Sequence, residues 1–340
     1  MDQDLLVLAE QAGIHIAGAE GFQLPGVARS TRLAMDAQPS LVTQSNAGIP
    51  SYLTVWVDPK LIEVLVSPMK AAVVVGNEVK KGDWLMDTAL FPVVESTGET
   101  SSYGDYSENG RAGVNTNFPQ RQSYHYQVIT NWGERELERA GLAKIDWANR
   151  TNIASVLTLN KFQNLTYFFG VDGLQNYGLL NAPALPASID PTNESGNTLW
   201  VDKDALGVYA DIQALFAQLQ TQANGLVDLE TKMTLAMSPV SQVSLTKATQ
   251  FNVNVMTLLK TNFPNMRIET APEYATASGN LVQLFPDELE GQRTVDVAFT
   301  EKLRAHPVKV ELSSFKQKKS QGTWGAIIYR PILIASMLGV

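Results

Sequence analysis

Apolar positions along the chain change their spacing several times, and each change marks an element. A short amphipathic stretch, Leu5, Leu6, Leu8, Ala9 and Ala12, gives way to residues rich in Gly, Ser, Gln, Pro and Ala through Ile49-Pro50. So few large apolar groups cannot build a core, and the segment reads as an arm whose order depends on lying against something else. From Tyr52 the texture is β-rich. Tyr52-Leu53-Thr54-Val55-Trp56-Val57 and Ala71-Ala72-Val73-Val74-Val75, the second closed by Gly76-Asn77, predict strands. Between Pro92 and Tyr124 aliphatic side chains nearly vanish, as in Ser101-Ser102-Tyr103-Gly104-Asp105-Tyr106-Ser107-Glu108-Asn109-Gly110. The flanks, Phe91 to Glu95 and Tyr124 to Ile129, predict the two strands of a long hairpin. Compact domains rarely hold a structureless loop of this length, so the segment is expected to project and find partners on another molecule.

From about Gly133 to Phe169 no proline occurs, and Glu134, Glu136 and Glu138 crowd the start, where a helix dipole favours them. The spacing predicts one long helix of roughly 55 Å. Its stripe of Leu142, Ile145, Ala148, Ile153, Val156 and Leu157 is broken by Asn149, Asn152, Asn160 and Asn164, which points to a half-buried helix. Pro183, Pro186 and Pro191 with Asn193, Ser195, Gly196 and Asn197 form a breaker-rich connection. Leu206, Tyr209, Ile212, Leu215, Phe216 and Leu219 then recur at helical spacing. Met233 to Met237 reads as a buried strand, and Leu245, Ala248, Val255, Leu258 and Leu259 as a helix capped by Ser244. Two helices on a small sheet is the simplest arrangement. Strands follow at Leu281–Phe285, at Val295, Val297 and Phe299, and at Val308, Val310 and Leu312. Lys316-Gln317-Lys318-Lys319-Ser320-Gln321-Gly322 reads as a turn leading into a last run from Trp324 to Leu338. No tandem repeat occurs.

Composition narrows the classes. With 340 residues, 44% hydrophobic and 18% charged, the chain is of globular type and long enough for roughly two domains, needing neither metal nor disulfide to hold a core. The absence of cysteine excludes disulfides, Cys-ligated zinc, iron–sulfur clusters and thiol nucleophiles without identifying a compartment. A net charge of −8 excludes a molecule that is basic throughout and grips nucleic acid, leaving local patches open. No apolar run approaches the roughly 18 residues of a bilayer span, and Met1-Asp2-Gln3-Asp4 is acidic where a signal peptide carries Lys or Arg. The expectation is a soluble protein, intracellular when made.

Chemistry is sparse. There is no G-x-S-x-G, no P-loop, no G-x-G-x-x-G and no H-E-x-x-H. His15, His125 and His306 lie in the arm, a loop flank and a late strand, and read as surface or hydrogen-bonding residues. Asp202-Lys203-Asp204 could hold a metal but precedes a helix, where acidic residues cap. Glu134, Glu136 and Glu138 with Arg135 and Arg139 read as a solvated helix face. Lys316, Lys318 and Lys319 could touch phosphate or another subunit, but read as a solvated basic tip. This reading assigns no catalytic residue, no cofactor and no metal. Trp132-Gly133 and the tyrosines Tyr103, Tyr106, Tyr124 and Tyr126 have the composition of an interface, since Tyr gives large contact area at low entropic cost.

Three stretches carry a resemblance. Tyr126-Gln127-Val128-Ile129-Thr130-Asn131-Trp132-Gly133-Glu134-Arg135-Glu136-Leu137, Phe169-Gly170-Val171-Asp172-Gly173-Leu174-Gln175-Asn176-Tyr177-Gly178-Leu179-Leu180 and Tyr329-Arg330-Pro331-Ile332-Leu333-Ile334-Ala335 are similar, in that order, to the passage into the spine helix, the "G…G-(I/L)-x-N" segment and the ending of tailed-bacteriophage major capsid proteins. Nearly the whole chain from Trp56 resembles that family. The resemblance implies an α+β, HK97-like capsid fold: residues 1–55 an N-terminal arm, 56–92 the first part of a peripheral domain, 93–128 an extended loop, 129–200 peripheral domain with spine helix, 201–300 an α/β axial domain, and 301–340 closing strands of the peripheral domain. It further implies pentamers and hexamers in an icosahedral virion head around a portal protein, assembled in the host cytoplasm. That head encloses double-stranded DNA without sequence-specific binding, with no membrane contact. Decoration proteins are further partners, and the lack of a charged coiled-coil leader before the arm is expected to mean a separate scaffolding protein or a leader already removed, the start at Met1 favouring the former.

Candidate inter-subunit contacts are Tyr103, Tyr106, Arg111, Phe118, Arg121, Tyr124, Trp132, Glu134 and Arg135. Some family members crosslink through a lysine in the extended loop, but no lysine occurs here between Lys81 and Lys144, so contacts in the arm, loop and spine helix are expected to be non-covalent. Two other readings stay open at this point: an encapsulin-like nanocompartment shell, told apart by cargo-peptide binding, and an α+β enzyme without a familiar motif, told apart by a monomer with a carboxylate-lined pocket.

Overall fold

The computed structural model describes residues 67–142, 146–193 and 196–340. The expected arm, with His15, and the expected strand Tyr52–Val57 lie outside the described residues. In chain order the main elements are α1 (Ala71–Val75), β1 (Glu78–Lys80), β2 (Thr88–Leu90), β3 (Val93–Glu99), β4 (Arg111–Asn117), β5 (Gln120–Gln122), β6 (Tyr124–Gly133), α2 (Glu134–Leu142) and α3 (Trp147–Phe169). These are followed by α4 (Ala205–Gln222), β7 (Met233–Met237), α5 (Pro239–Ser244), α6 (Val255–Asn262), β8 (Met266–Thr270), β9 (Ala275–Thr276) and β10 (Gly279–Pro286). The chain closes with β11 (Glu288–Leu289), β12 (Gln292–Arg293), β13 (Val295–Ala305), β14 (Lys309–Val310), β15 (Ser314–Ile328) and β16 (Ala335–Leu338).

Two sheets organise the structure. In the first, β15 is central: β6 lies antiparallel along one edge from Ser314↔Gly133 to Thr323↔Tyr124, while β13 and then β14 occupy the other. β1 adds parallel to β13. Helix α3 lies on this sheet. The second sheet runs β16-β10-β7-β8, with β7 and β8 parallel and the remaining pairs antiparallel. Helices α4 and α6 bury Val208, Ile212, Leu215, Leu219, Val255 and Leu259 on it together with Leu235, Val282 and Leu284. This is the expected pair of helices on a small sheet. The opposite face of the second sheet contributes Ala236, Leu281 and Phe285 to a core shared with α1, Tyr167 and Phe168 of α3, and Val295, Val297 and Ala326 of the first sheet.

Several local expectations are corrected. Ala71–Val75 is a short helix, not a strand. Its buried residues Ala71, Val74 and Val75 fall at helical spacing, and its ends are satisfied from afar: the Ala71 N–H donates to Asn164 Oδ1 at 3.0 Å, and Arg267 and Arg293 donate to the Val74 and Val75 carbonyls. Gly76, at φ 74°, supplies the left-handed C-terminal turn. These contacts outweigh the β preference of three valines. The single 133–169 helix is two, because Asp146 begins α3 by accepting the Asn149 N–H and α2 ends in Gly141-Leu142. α3 therefore spans roughly 35 Å. Ser244 ends α5 instead of opening a helix; the residues in the cap positions are Ser238, whose hydroxyl accepts the Ser241 N–H, and Asn254 before α6. Of Val308–Leu312 only two residues form a strand, and Leu312 is 107% exposed.

The hairpin exists with other pairings. β3 pairs β4 through seven rungs from Val93↔Asn117 to Glu99↔Arg111, and β2 pairs β5 at its base. The expected partner, Tyr124–Ile129, instead pairs with β15. The largest correction concerns Lys316–Gly322, which is no turn but the middle of β15, with Lys319, Ser320 and Gln321 buried.

Candidate assembly surface

The sequence that looked like a solvated basic tip fits beneath α3 because the helix face above it is polar as well. Lys319 Nζ donates to Ser155 Oγ at 2.6 Å and Asn152 Oδ1 at 2.8 Å. Gln321 Nε2 donates to Asn160 Oδ1 at 2.9 Å, and Gln321 Oε1 accepts from Tyr126 OH at 2.7 Å. Thr166 Oγ1 donates to Thr323 Oγ1 at 3.1 Å, and Tyr167 OH donates to Glu78 Oε1 at 3.1 Å. Asn164, which caps α1, also donates to Glu273 Oε1 at 2.5 Å. Of the asparagines that interrupted the apolar stripe, Asn164 is buried and Asn152 and Asn160 are half-buried on the sheet side, Asn149 is exposed, and Ile153, Leu165 and Phe169 face outward. Burial pushes the Lys319 ammonium below the ordinary lysine range and the Tyr126 and Tyr167 hydroxyls above the ordinary tyrosine range, with Glu78 adding to both tyrosine shifts.

The segment Gly170–Leu180 locks this unit to the hairpin base. Asn176 Nδ2 donates to the carbonyls of Gln122 (3.0 Å) and Thr323 (3.2 Å). Gln122 N–H donates to the Gln175 carbonyl at 3.0 Å, and Ala326 N–H to the Tyr177 carbonyl at 2.9 Å. Two close approaches require glycine: a Cβ on Gly178 would sit 2.1 Å from the Phe168 carbonyl oxygen, and one on Gly325, at φ 72°, 2.4 Å from that of Tyr177. Around the base, Arg121 lies 4.6 Å over the Tyr177 ring, its pKa lowered by burial, and a cavity of about 470 Å³ opens between Phe91, Val93, Pro119, Arg121, Tyr329 and Arg330.

Beyond that base the hairpin packs against no other element among the described residues. Every residue of β3 and β4 is exposed on both faces of the ribbon, including Val93, Val94 and Val114. At its tip Tyr103 and Tyr106 are 93% and 101% exposed, with Tyr103 OH donating to Asp105 Oδ1 at 2.9 Å. Arg111 opens β4 opposite Glu99, and Phe118 follows β4 exposed. Glu134 and Arg135 are exposed on the first turn of α2, as the solvated-face reading expected. Arg121, Tyr124 and Trp132 are engaged inside the chain: Tyr124 stacks on Tyr126 and approaches Phe162, and Trp132 stacks on Phe315 at 6.4 Å.

Two clusters went unnoticed in the sequence. Lys203, read as part of a capping run, is buried and paired with Asp211 at 2.5 Å, and Asp211 also accepts from Trp200 Nε1 at 2.8 Å and from the Thr192 N–H at 2.9 Å. Lys247 Nζ donates to the carbonyls of Trp200, Val201 and Lys203. A buried charge surrounded in sequence by surface-like residues leaves no periodic signal. His125 meets Thr300 and the Trp84 ring, and His306 bonds Ser320 Oγ. Among the described residues no cluster of His, Asp or Glu could hold a metal ion, and no helix is long and apolar enough to cross a membrane.

A projecting ribbon, a sheet-borne helix and a second α/β sheet recur in known structures. The chain is similar to the capsid protein of Myoviridae phage XM1, at 14% identity and TM-score 0.73, over 87% of this chain and all of that one. It is also similar to a chain from the structure of Mycobacterium phage Ogopogo (9%, TM-score 0.57, 85% and 98%) and to one from the capsid of a native GTA particle (10%, TM-score 0.58, 88% and 99%). These likenesses give the fold: α+β and HK97-like. No curated protein matches the chain in sequence. A family model described as Pa193 gp26 major capsid protein matches residues 40–339, and the chain therefore belongs to that family of major capsid proteins, the structural subunits of a phage head.

Proposed function

We propose that many copies of this chain form the pentamers and hexamers of an icosahedral head, and that the β3–β4 hairpin of each lies over its neighbour. One observation carries this: a two-stranded ribbon with both faces exposed has no core, and such ribbons are marginal alone in water. Tyr103, Tyr106, Arg111, Phe118, Glu134 and Arg135 are then available to a second copy, while Arg121, Tyr124 and Trp132 fix the hairpin base. The first sheet with α3 serves as peripheral domain and the second sheet with α4 and α6 as axial domain, with residues 1–55 reaching across the shell. The head closes around a portal protein with a separate scaffolding protein, accepts decoration proteins outside, and packages double-stranded DNA without reading its sequence. A net charge of −8 suits a lining that does not grip its contents. In this role the chain performs no catalysis.

The test is to join Ser96 to Val114, an existing rung, by a two-residue turn and compare assembly with the unaltered chain by negative-stain microscopy and sedimentation. The shortened chain is expected to stay folded and soluble without forming closed shells. Normal shells would overturn the hairpin's role, and failure of the unaltered chain, supplied with portal and scaffold, to form any shell would overturn the whole reading.

A further inference from the structure

The sequence contains two Asn-Gly pairs, Asn109-Gly110 and Asn224-Gly225, and the fold treats them in opposite ways. This pair type matters chemically because glycine leaves the following backbone nitrogen unshielded. That nitrogen can attack the asparagine side chain only if it is free of a hydrogen bond and the chain can bend into a five-membered ring. Gly225 meets neither condition: its N–H donates to the Gln220 carbonyl at 2.9 Å in the turn that ends α4, where Asn224 is itself held at φ 51° with its N–H on Thr221. Gly110 meets both. It lies outside the β3–β4 ladder, among the described residues its N–H makes no main-chain hydrogen bond, and Asn109 is exposed with no partner on its carboxamide.

We infer that Asn109 is a site of spontaneous, selective deamidation in the unassembled subunit. The Gly110 amide loses its proton to hydroxide, and its nitrogen bonds to Asn109 Cγ. The side-chain nitrogen takes up a proton and departs as ammonia, closing a succinimide. Water then adds to either ring carbonyl and breaks its bond to nitrogen, giving aspartate or isoaspartate. One water is consumed and one ammonia released, with no change of oxidation state. Either product adds a negative charge beside Glu108, and isoaspartate also inserts a backbone carbon directly before Gly110 and the Glu99↔Arg111 rung. An aged tip is therefore chemically and geometrically different from a fresh one.

The experiment is incubation of the purified, unassembled full-length chain in mildly alkaline buffer. Peptide mapping by mass spectrometry and an isoaspartyl-methylation assay follow the two pairs in the same molecules. Conversion at Asn109 is expected to run roughly tenfold or more ahead of Asn224, the factor set by the hydrogen bond that Gly225 must first break. In an Asn109→Gln variant the isoaspartyl signal from the tip is expected to vanish while Asn224 is unchanged. Equal rates at the two sites, or faster conversion at Asn224, would overturn the inference. Mapping the same chain after denaturation provides the control: the two rates must converge once the fold is lost, and a persisting difference would assign the selectivity to local sequence instead of structure.

Discussion

Lys319 and Ser155 are 164 residues apart in sequence and 2.6 Å apart in space, a buried ammonium on the central strand held by a hydroxyl on the helix above it. Among the described residues no carboxylate shares the contact; Asn152 supplies the remaining acceptors. The helix whose Ile153, Leu165 and Phe169 point away from the sheet is thus fastened to it by directional polar bonds. Lys319→Met keeps most of the volume and removes the donor to Ser155 Oγ and to both Asn152 oxygens, so it is expected to destabilise the unassembled subunit by ~2 kcal/mol in urea titration. Combined with Ser155→Ala, the loss should fall short of the sum of the single losses. Strict additivity would show that the two side chains do not act together.

The same lysine gives a pH signature. Its folded-state pKa lies below the ordinary 10.5 because burial disfavours the charge. Between the two values the unfolded chain therefore binds more protons than the folded one, and stability gains a term that rises with pH. The buried tyrosines, whose values are raised, pull the other way only above about 10, where unfolded tyrosines ionise. The difference in stability between the unaltered chain and Lys319→Met, followed by denaturant titration from neutral pH toward 10, should shift in favour of the unaltered chain. A difference independent of pH would mean that Lys319 titrates normally.

Gly178 and Gly173 lie in one motif and make opposite demands. Gly173 has φ 78° with nothing within 4 Å of a Cβ, so Gly173→Ala is expected to cost about 1–2 kcal/mol of backbone strain alone. Gly178→Ala drives a methyl into the Phe168 carbonyl and is expected to cost more than ~4 kcal/mol or abolish soluble expression. Thermal unfolding of the two variants side by side decides whether the segment is a rigid bracket; comparable losses would contradict it.

Asp211 closes the Lys203 network inside the second sheet's core. Asp211→Ala leaves a buried ammonium with only the 3.4 Å contact to Thr192 Oγ1 and an indole N–H without an acceptor, with an expected loss of about 3–5 kcal/mol. Lys203→Met together with Asp211→Leu should recover part of it, since the uncompensated charge is gone. If the double variant is no more stable than Asp211→Ala, packing and not charge pairing is the main contribution of this site.

How far such features were legible depends on whether burial is apolar. Leu206–Leu219, Met233–Met237, Leu281–Phe285 and Val295–Val297 were found because periodic apolar residues face an apolar core. The projecting hairpin was legible from its lack of aliphatics, although its pairing was not, since β6 finds its partner nearly 190 residues away. Lys316–Gly322 was misread and Lys203 missed for a common reason. Their burial is balanced by hydrogen bonds, that of Lys319 to Ser155 at 164 residues' distance and that of Lys203 to Asp211 eight residues on, and apolar periodicity does not distinguish a lysine so balanced from one in water.

The hairpin tip separates folding from assembly. Tyr103 and Tyr106 touch almost nothing in their own chain, so replacing both with serine should leave the unfolding midpoint of the unassembled subunit within about 0.5 kcal/mol of the original. If the tip docks on a neighbouring copy, the loss of two aromatic anchors removes interface energy instead. Truncating one such anchor commonly costs more than about 1 kcal/mol of binding. A pair of them should therefore raise the threshold concentration for shell formation, read by light scattering across a dilution series, by at least about tenfold. Asn109 offers an independent readout, because a docked tip can neither reach hydroxide freely nor bend into a succinimide. In shells its conversion should slow well below the rate in free subunits. An unchanged threshold together with unchanged conversion would leave the tip in solvent and place the contacts elsewhere, whereas a raised threshold with slowed conversion puts Tyr103, Tyr106 and Asn109 in one buried interface.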